Sequence, residues 1–287
     1  MAHNTIAVVS DCDDTLAPDT TLQLLEACGI DGPRFFAETV APLVEDGWDP
    51  ALAYLQKIAE FAQSGMLPGL NRQRIEEIGQ VLKFYPGVPQ CFGLLKDEVE
   101  NEPRYRAFGI RVEFYVVSGG IEELIAASPL AKATHAMWAC SFSYDSNGNV
   151  AGPKRVISFT DKTRFLFLIQ KGKVAEEFRS TPYVVNEPME EEERPIPFRN
   201  MIYIGDGPSD IPCMSLVSNN HGYVMGILSK EKPFKTWALG FGRRAHITVP
   251  PEFEVGGYAF DQLRQAIVDR AEAIRAQLSS AQPVPGH

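Results

Sequence analysis

A chain of 287 residues, 45% hydrophobic and 22% charged, has ordinary globular composition and the length of one large domain or two moderate ones. Its 27 Lys and Arg stand against 37 Asp and Glu, and the resulting formal charge of -10 argues against nucleic acid or an anionic membrane surface as a partner. A phosphate-bearing ligand is still admissible, because a bound divalent cation reverses the local field.

The N-terminus carries neither the basic stretch nor the apolar run of a secretory signal, and no stretch reaches membrane-span length, so a cytoplasmic location is expected. Cys12, Cys28, Cys91, Cys140 and Cys213 are scattered, in no metal-type pairing, and are expected as reduced core thiols. The histidines (His3, His135, His221, His246, His287) show no ligand spacing.

In chain order, residues 5–10 (TIAVVS) form a short β-branched run that suits a strand buried on both faces. Asp11 and Asp13 follow at once. Residues two apart on an extended strand exit project to the same side, and two carboxylates so placed repel unless a cation or a proton intervenes. One such carboxylate can attack phosphorus to give an acyl phosphate while the other protonates the leaving oxygen and later deprotonates water. The competing reading is a capped strand-to-helix turn.

Residues 19–83 carry apolar positions at helical spacing, broken by Gly-Pro, Asp-Pro and Pro-Gly pairs, with no strand signal. Trp48, Tyr54 and Phe61 within them suit the packing of that segment or the lining of a pocket. A helix is expected over 88–99 and a buried strand over 112–117 (VEFYVV). Ser118-Gly119-Gly120 then offers a hydroxyl and backbone N–H groups at an expected helix start, an anion site or a plain tight turn.

Residues 137–144 and 150–159 flank DSNG, a hairpin signal. Lys162 opens a short helix extending to 170, where it can neutralise phosphate or stay a solvated surface lysine. Residues 186–199 form an acidic, proline-bearing insertion expected as a solvated loop. Residues 201–204 form another strand, ending in Gly205-Asp206-Gly207-Pro208-Ser209-Asp210. Two acids four residues apart suit a magnesium ligand and a partner for its waters, or an N-capped loop. Strands at 223–228 and 245–249, a helix at 260–278 and a loose tail at 279–287 complete the chain.

Strands alternating with helices indicate an α/β fold with a doubly wound parallel sheet, whose ligands sit beyond the strand ends. The polar clusters all fall there, and the helical stretch after the first strand is read as an inserted cap.

The segments VVSDCDDTL (residues 8–16), VVSGG (116–120), DKT (161–163) and IYIGDGPSDIPCM (202–214) together resemble the haloacid dehalogenase superfamily, in its phosphoserine-phosphatase-like branch. The resemblance implies a Rossmann-like catalytic core over 1–18 and 84–287, a helical cap over 19–83, Mg2+ as cofactor and a small phosphorylated metabolite as substrate. It assigns Asp11 as nucleophile and metal ligand, and Asp13 as general acid/base that also offers its backbone carbonyl to the metal. Ser118, the Gly119 N–H and Lys162 would hold phosphate, Asp206 would ligate the metal, and Asp210 would support the metal's waters. Lys154 and Lys171 compete for the lysine role, but only Lys162 stands at a helix start.

Asp13 favours phosphate ester hydrolysis, since the dehalogenases of the superfamily lack the second acid. A phosphotransferase or mutase with the same phosphoenzyme, and a non-catalytic phosphometabolite-binding protein, are the alternatives. Two departures weigh against phosphoserine. Thr20, beside Asp19, stands where phosphoserine phosphatases carry a glutamate, and Lys57 is the nearest counterpart of their cap arginine. Asp14 occupies a position that is often glycine or serine in relatives.

Overall fold

The computed structural model describes residues 3–176, 178, 181–228 and 244–281. The apolar β1 (Thr5–Ser10) is buried along its whole length, as a strand with no polar face must be. It lies inside a seven-stranded sheet with β2 (Arg111–Ile121), β3 (Ala136–Tyr144), β4 (Val150–Arg155), β5 (Met201–Gly205), β6 (Tyr223–Ile227) and β7 (Ile247–Val249). The order is β4-β3-β2-β1-β5-β6-β7, and every pairing is parallel except that of β4, which returns against β3 as a hairpin.

The chain leaves β1 toward β2 on one side and comes back to β5 on the other. That reversal opens a crevice at the carboxyl ends of these strands, where a doubly wound sheet binds its ligands. The expected Rossmann-like α/β architecture is the observed one.

Strand alternation assigns the two faces. Even-numbered side chains such as Ile6, Val8, Val116 and Ile204 pack with Phe92 and Leu95 of α6 (Gln90–Glu100) and with Leu263 and Ile267 of α12 (Tyr258–Ala281). Odd-numbered ones, among them Val9, Val117 and Tyr203, share a second core with residues from the segment between β1 and β2. That segment runs through α1 (Thr20–Ala27), α2 (Gly32–Phe35), a π-helical turn at Phe36–Val40, α3 (Ala41–Glu45), α4 (Pro50–Ser64) and α5 (Arg72–Gly79).

The side chains of Asp19, Asp31, Asp49 and Asn71 accept backbone N–H bonds at the starts of α1, α2, α4 and α5. Each such cap is worth about 1 kcal/mol. Apolar residues at helical spacing, including Leu24, Leu55, Ile58 and Ile75, then turn inward. α4 packs on β4, and α5 packs on α8 (Glu122–Ala126). The remaining helices are α6 (Gln90–Glu100), α7 (Pro103–Arg106), α8 (Glu122–Ala126), α9 (Leu130–Ala133), α10 (Asp161–Gln170), α11 (Ile211–Asn219) and α12 (Tyr258–Ala281).

Three expectations need adjustment. β2 does not stop at residue 117 but continues through Ser118, Gly119 and Gly120 to Ile121, because Ile121 pairs with Cys140 of β3 and keeps the chain extended. The second hairpin arm ends at Arg155 rather than 159. The last helix continues into the expected tail, as far as Ala281, and the rest of that tail lies outside the described residues. Between residues 186 and 199, Glu191–Glu193 form one exposed 3-10 turn, but Ile196 and Phe198 are buried in the core, so only the acidic part of the insertion is a solvated loop. No described helix is long and apolar enough to cross a membrane.

Candidate active site

The Asp11 N–H donates to the Ile204 carbonyl at 2.9 Å, which extends the alignment of β1 with β5 one residue past the strand. The Cys12 carbonyl then accepts the N–H groups of Thr15, Leu16 and Ala17, closing a tight loop. Asp14 takes a φ of 55° there, a left-handed conformation that Asp tolerates better than most residues. Asp11 Oδ1 accepts the Cys12 N–H at 2.7 Å, and its Oδ2 faces Lys162 Nζ at 2.8 Å.

Asp13 Oδ1 accepts two bonds from Thr20, from its N–H at 2.7 Å and from its hydroxyl at 2.6 Å. The end of β2 approaches so closely that a Cβ on Gly120 would lie 2.6 Å from Asp13 Oδ2. Only glycine fits at that position.

Lys162, at the start of α10, is fully buried and bridges Asp11 to Asp210, whose Oδ1 lies 2.7 Å from its Nζ. Ser209 Oγ lies 3.4 Å from the same nitrogen. Asp210, also fully buried, accepts the Tyr203 hydroxyl on Oδ1 at 2.8 Å. Its Oδ2 accepts the N–H groups of Asp206 at 3.2 Å and Gly207 at 3.1 Å. Asp210 thereby fixes the loop that presents Asp206, whose Oδ1 accepts the Thr15 hydroxyl at 3.4 Å. A Cβ on Gly205 would lie 2.6 Å from Asp210 Oδ2, so this strand exit too requires glycine.

The electrostatics follow from burial. Desolvation pushes the Asp11 carboxyl up to about 7 against the pull of the Lys162 ammonium. Desolvation and the Asp19 charge push Asp13 up to about 7, against the stabilising bonds from Thr20. Burial works to discharge Lys162, but the Asp11 and Asp210 carboxylates outweigh it and hold the ammonium above its usual range.

Carboxylate oxygens of Asp11, Asp206 and Asp210 lie within 4.8 Å of one another. An all-oxygen, acidic donor set fits a hard divalent cation such as Mg2+. Asp210 is committed to Lys162, Tyr203 and two N–H groups, so Asp11 and Asp206 are the members of this trio that can face the cation.

Ser118 is buried, and its Oγ accepts the Gly120 N–H at 3.0 Å. The Gly119 carbonyl accepts the Tyr54 hydroxyl from α4, a bond that links the inserted segment to the end of β2. These residues therefore sit on an irregular strand end rather than at the helix start expected of them. A cavity of about 850 Å³ opens over Asp11, Asp13, Gly119, Lys162 and Asp206, while Ser118 lies behind its lining.

Of the three aromatic residues noted in the inserted segment, Tyr54 lines the cavity. Phe61 packs edge-on against Phe35 at 5.2 Å, and Trp48 is exposed. Lys57 pairs with Glu60 at 2.8 Å, and Lys171 donates to the carbonyls of Val185 and Glu187. Lys154 lines a different cavity.

Four contributors escaped the sequence reading: Thr15, Ser209, Tyr203 and the bond from Thr20 to Asp13. A tyrosine inside an otherwise aliphatic strand was the available signal for Tyr203, because a buried hydroxyl needs a partner.

No family profile matches the chain. It is 26% identical over 239 residues to an uncharacterized protein of Borreliella burgdorferi, covering 76% of this chain and 80% of that one. Among solved structures it resembles a HAD family hydrolase of Salmonella enterica serovar Typhi, with 14% identity, a TM-score of 0.53, and coverage of 87% of this chain and 68% of that one. It also resembles a probable phosphoserine phosphatase of Vibrio cholerae, with 14% identity, a TM-score of 0.53, and coverage of 96% and 68%. At such identities the likeness is one of architecture: the chain has the fold of the haloacid dehalogenase-type hydrolases.

Proposed function

We propose that the protein is a magnesium-dependent phosphatase that hydrolyses a small phosphomonoester through a phosphorylated Asp11. The observation that carries this reading is the buried Lys162, 2.8 Å from Asp11 and 2.7 Å from Asp210, beneath a cavity that Asp13 also lines. A structural ion pair has no need of a second acid two residues on, held by Thr20 with its proton affinity near neutrality.

Asp11, Asp206 and the Asp13 carbonyl would hold Mg2+, which neutralises phosphate charge when bound. Lys162 and the Gly119 N–H, which line the cavity, would hold the phosphoryl oxygens, and the Ser118 hydroxyl, which lies behind that lining and accepts the Gly120 N–H, would brace the strand end that presents them. An Asp11 oxygen attacks phosphorus in line, forming the acyl phosphate as the bond to the ester oxygen breaks. Asp13 gives that oxygen its proton, so the leaving group departs as a neutral alcohol. Asp13 then takes a proton from water, whose oxygen attacks phosphorus and releases inorganic phosphate from Asp11. Asp210 keeps Lys162 and the Asp206 loop in place throughout.

In this reading residues 1–18 and 84–287 act as the core, in the cytoplasm, and residues 19–83 as a cap that excludes bulk water during attack. Incubation with a 32P-labelled phosphomonoester and Mg2+, quenched in acid, should give protein-bound label that hydroxylamine releases. Turnover with no such label would remove the covalent step, and label passed only to an added acceptor would make the protein a phosphotransferase.

A further inference from the structure

The floor of the cavity is acidic, but its wall is apolar. Phe36, Val40 and Val44 recur every four residues along the π-helical turn and α3, and Tyr54 of α4 and Phe159 face the same space. The Phe36 ring leans on Tyr54 at 6.1 Å between centroids, which fixes this part of the wall. Val44 and Phe159 remain 37% and 43% exposed, apolar surface that a ligand can cover. Phe159 also carries a φ of 23°, a strained value for an aromatic residue and of the kind found beside binding sites.

The only cationic side chain among the described lining residues is Lys162, fully buried and held by Asp11 and Asp210. The other charged lining groups beyond the floor, Asp14, Asp19 and Glu45, are acids. A leaving group bearing a carboxylate or a second phosphate would lose hydration against apolar walls and face acids, with no cation beyond the floor among the described lining residues to receive it. An apolar alcohol meets no such penalty and gains from burial.

Resting on the phosphatase reading of the same floor, we infer that the substrate is the monophosphate ester of an apolar alcohol without a carboxylate or second phosphate, seated against Phe36, Val40, Val44 and Phe159.

The test is kcat/KM with Mg2+ for ethyl, propyl, butyl and pentyl phosphate, alongside phosphoserine and phosphoethanolamine. The alkyl series is expected to rise about fourfold per methylene, and propyl phosphate to exceed phosphoserine by at least about tenfold. A flat alkyl series, or either amine-bearing ester above propyl phosphate, overturns the inference and leaves the phosphatase reading standing. Failure to hydrolyse every ester ends both.

Val44→Arg, at a partly exposed position, supplies a cation on the wall without touching the floor. With circular dichroism unchanged, it should raise phosphoserine relative to pentyl phosphate by at least about tenfold. An unchanged ratio contradicts the seating.

Discussion

The floor and the wall of the cavity are held together by different forces. On the floor, Asp11, Lys162 and Asp210 are almost wholly removed from solvent, and the lysine pairs with the two carboxylates at 2.8 and 2.7 Å. A Cβ at Gly120 or Gly205 would lie 2.6 Å from the Asp13 or Asp210 carboxylate and force it to shift. On the wall, Phe36, Val40 and Val44 meet the space through apolar contact alone, and part of that surface is exposed. A buried charge is left uncompensated when one partner is removed, whereas apolar surface responds in proportion to area. Under the proposed phosphatase reading, that contrast would fix the reaction chemistry at the floor and leave substrate choice adjustable at the wall.

Substitutions at the floor should therefore act abruptly. Asp11→Asn removes the proposed nucleophile and is expected to lower kcat by more than about 10⁴-fold, as steady-state assay with an excess of protein would reveal. Asp13→Asn should cost roughly 10²–10⁴-fold. It should also remove the limb of the pH–rate profile near the value of about 7 to which burial raises this acid, whereas a profile unchanged in shape would separate Asp13 from proton transfer. Lys162→Met leaves two buried carboxylates without their counter-charge and should destabilise the fold by about 3–5 kcal/mol in urea titration.

Metal should act next in size. With the carboxyls of Asp11 and Asp13 raised above their unfolded value of 3.8 to about 7, the metal-free native protein holds protons that the unfolded chain releases. Its stability should thus fall as pH rises from about 4 through 7, and Mg2+ competes with those protons. Saturating Mg2+ at a hundredfold excess over its Kd should add about 2.7 kcal/mol. Thermal melts at pH 8 should show a larger shift with Mg2+ than melts at pH 6, and the opposite order would place the cation elsewhere.

The smallest effect belongs where wall and floor meet. Tyr54→Phe deletes the hydroxyl bonded to the Gly119 carbonyl and should cost about 1 kcal/mol in the same melts.

Much of the floor was legible in the sequence, because its residues follow buried strands directly. TIAVVS and MIYIG present Asp11 and Asp206 at adjacent sheet positions once the strands are recognised as parallel. Lys162 was legible through its order between motifs and its place at a helix start, although such a lysine is usually solvated and its complete burial depends on tertiary packing.

The end of β2 is not legible in the sequence, because Ser-Gly-Gly has no local preference for extension and the pairing of Ile121 with Cys140 supplies it. Thr20 stood out as a departure from relatives, yet its bond to Asp13 needs the loop closed by the Cys12 carbonyl. The wall was the least legible part. Its π-helical turn sets which of Phe36, Val40 and Val44 face the cavity, and helical periodicity alone gives no sign of that turn.

The most direct measurement of the central claim is chemical location of the phosphoryl group. The protein is quenched during turnover, reduced with tritiated borohydride, which converts an aspartyl phosphate to homoserine, and the labelled peptide is sequenced. Label as homoserine at position 11, absent from Asp11→Asn, is the expected result. Label at any other residue, or none while the wild type is demonstrably hydrolysing ester, would contradict the assignment of Asp11 as nucleophile.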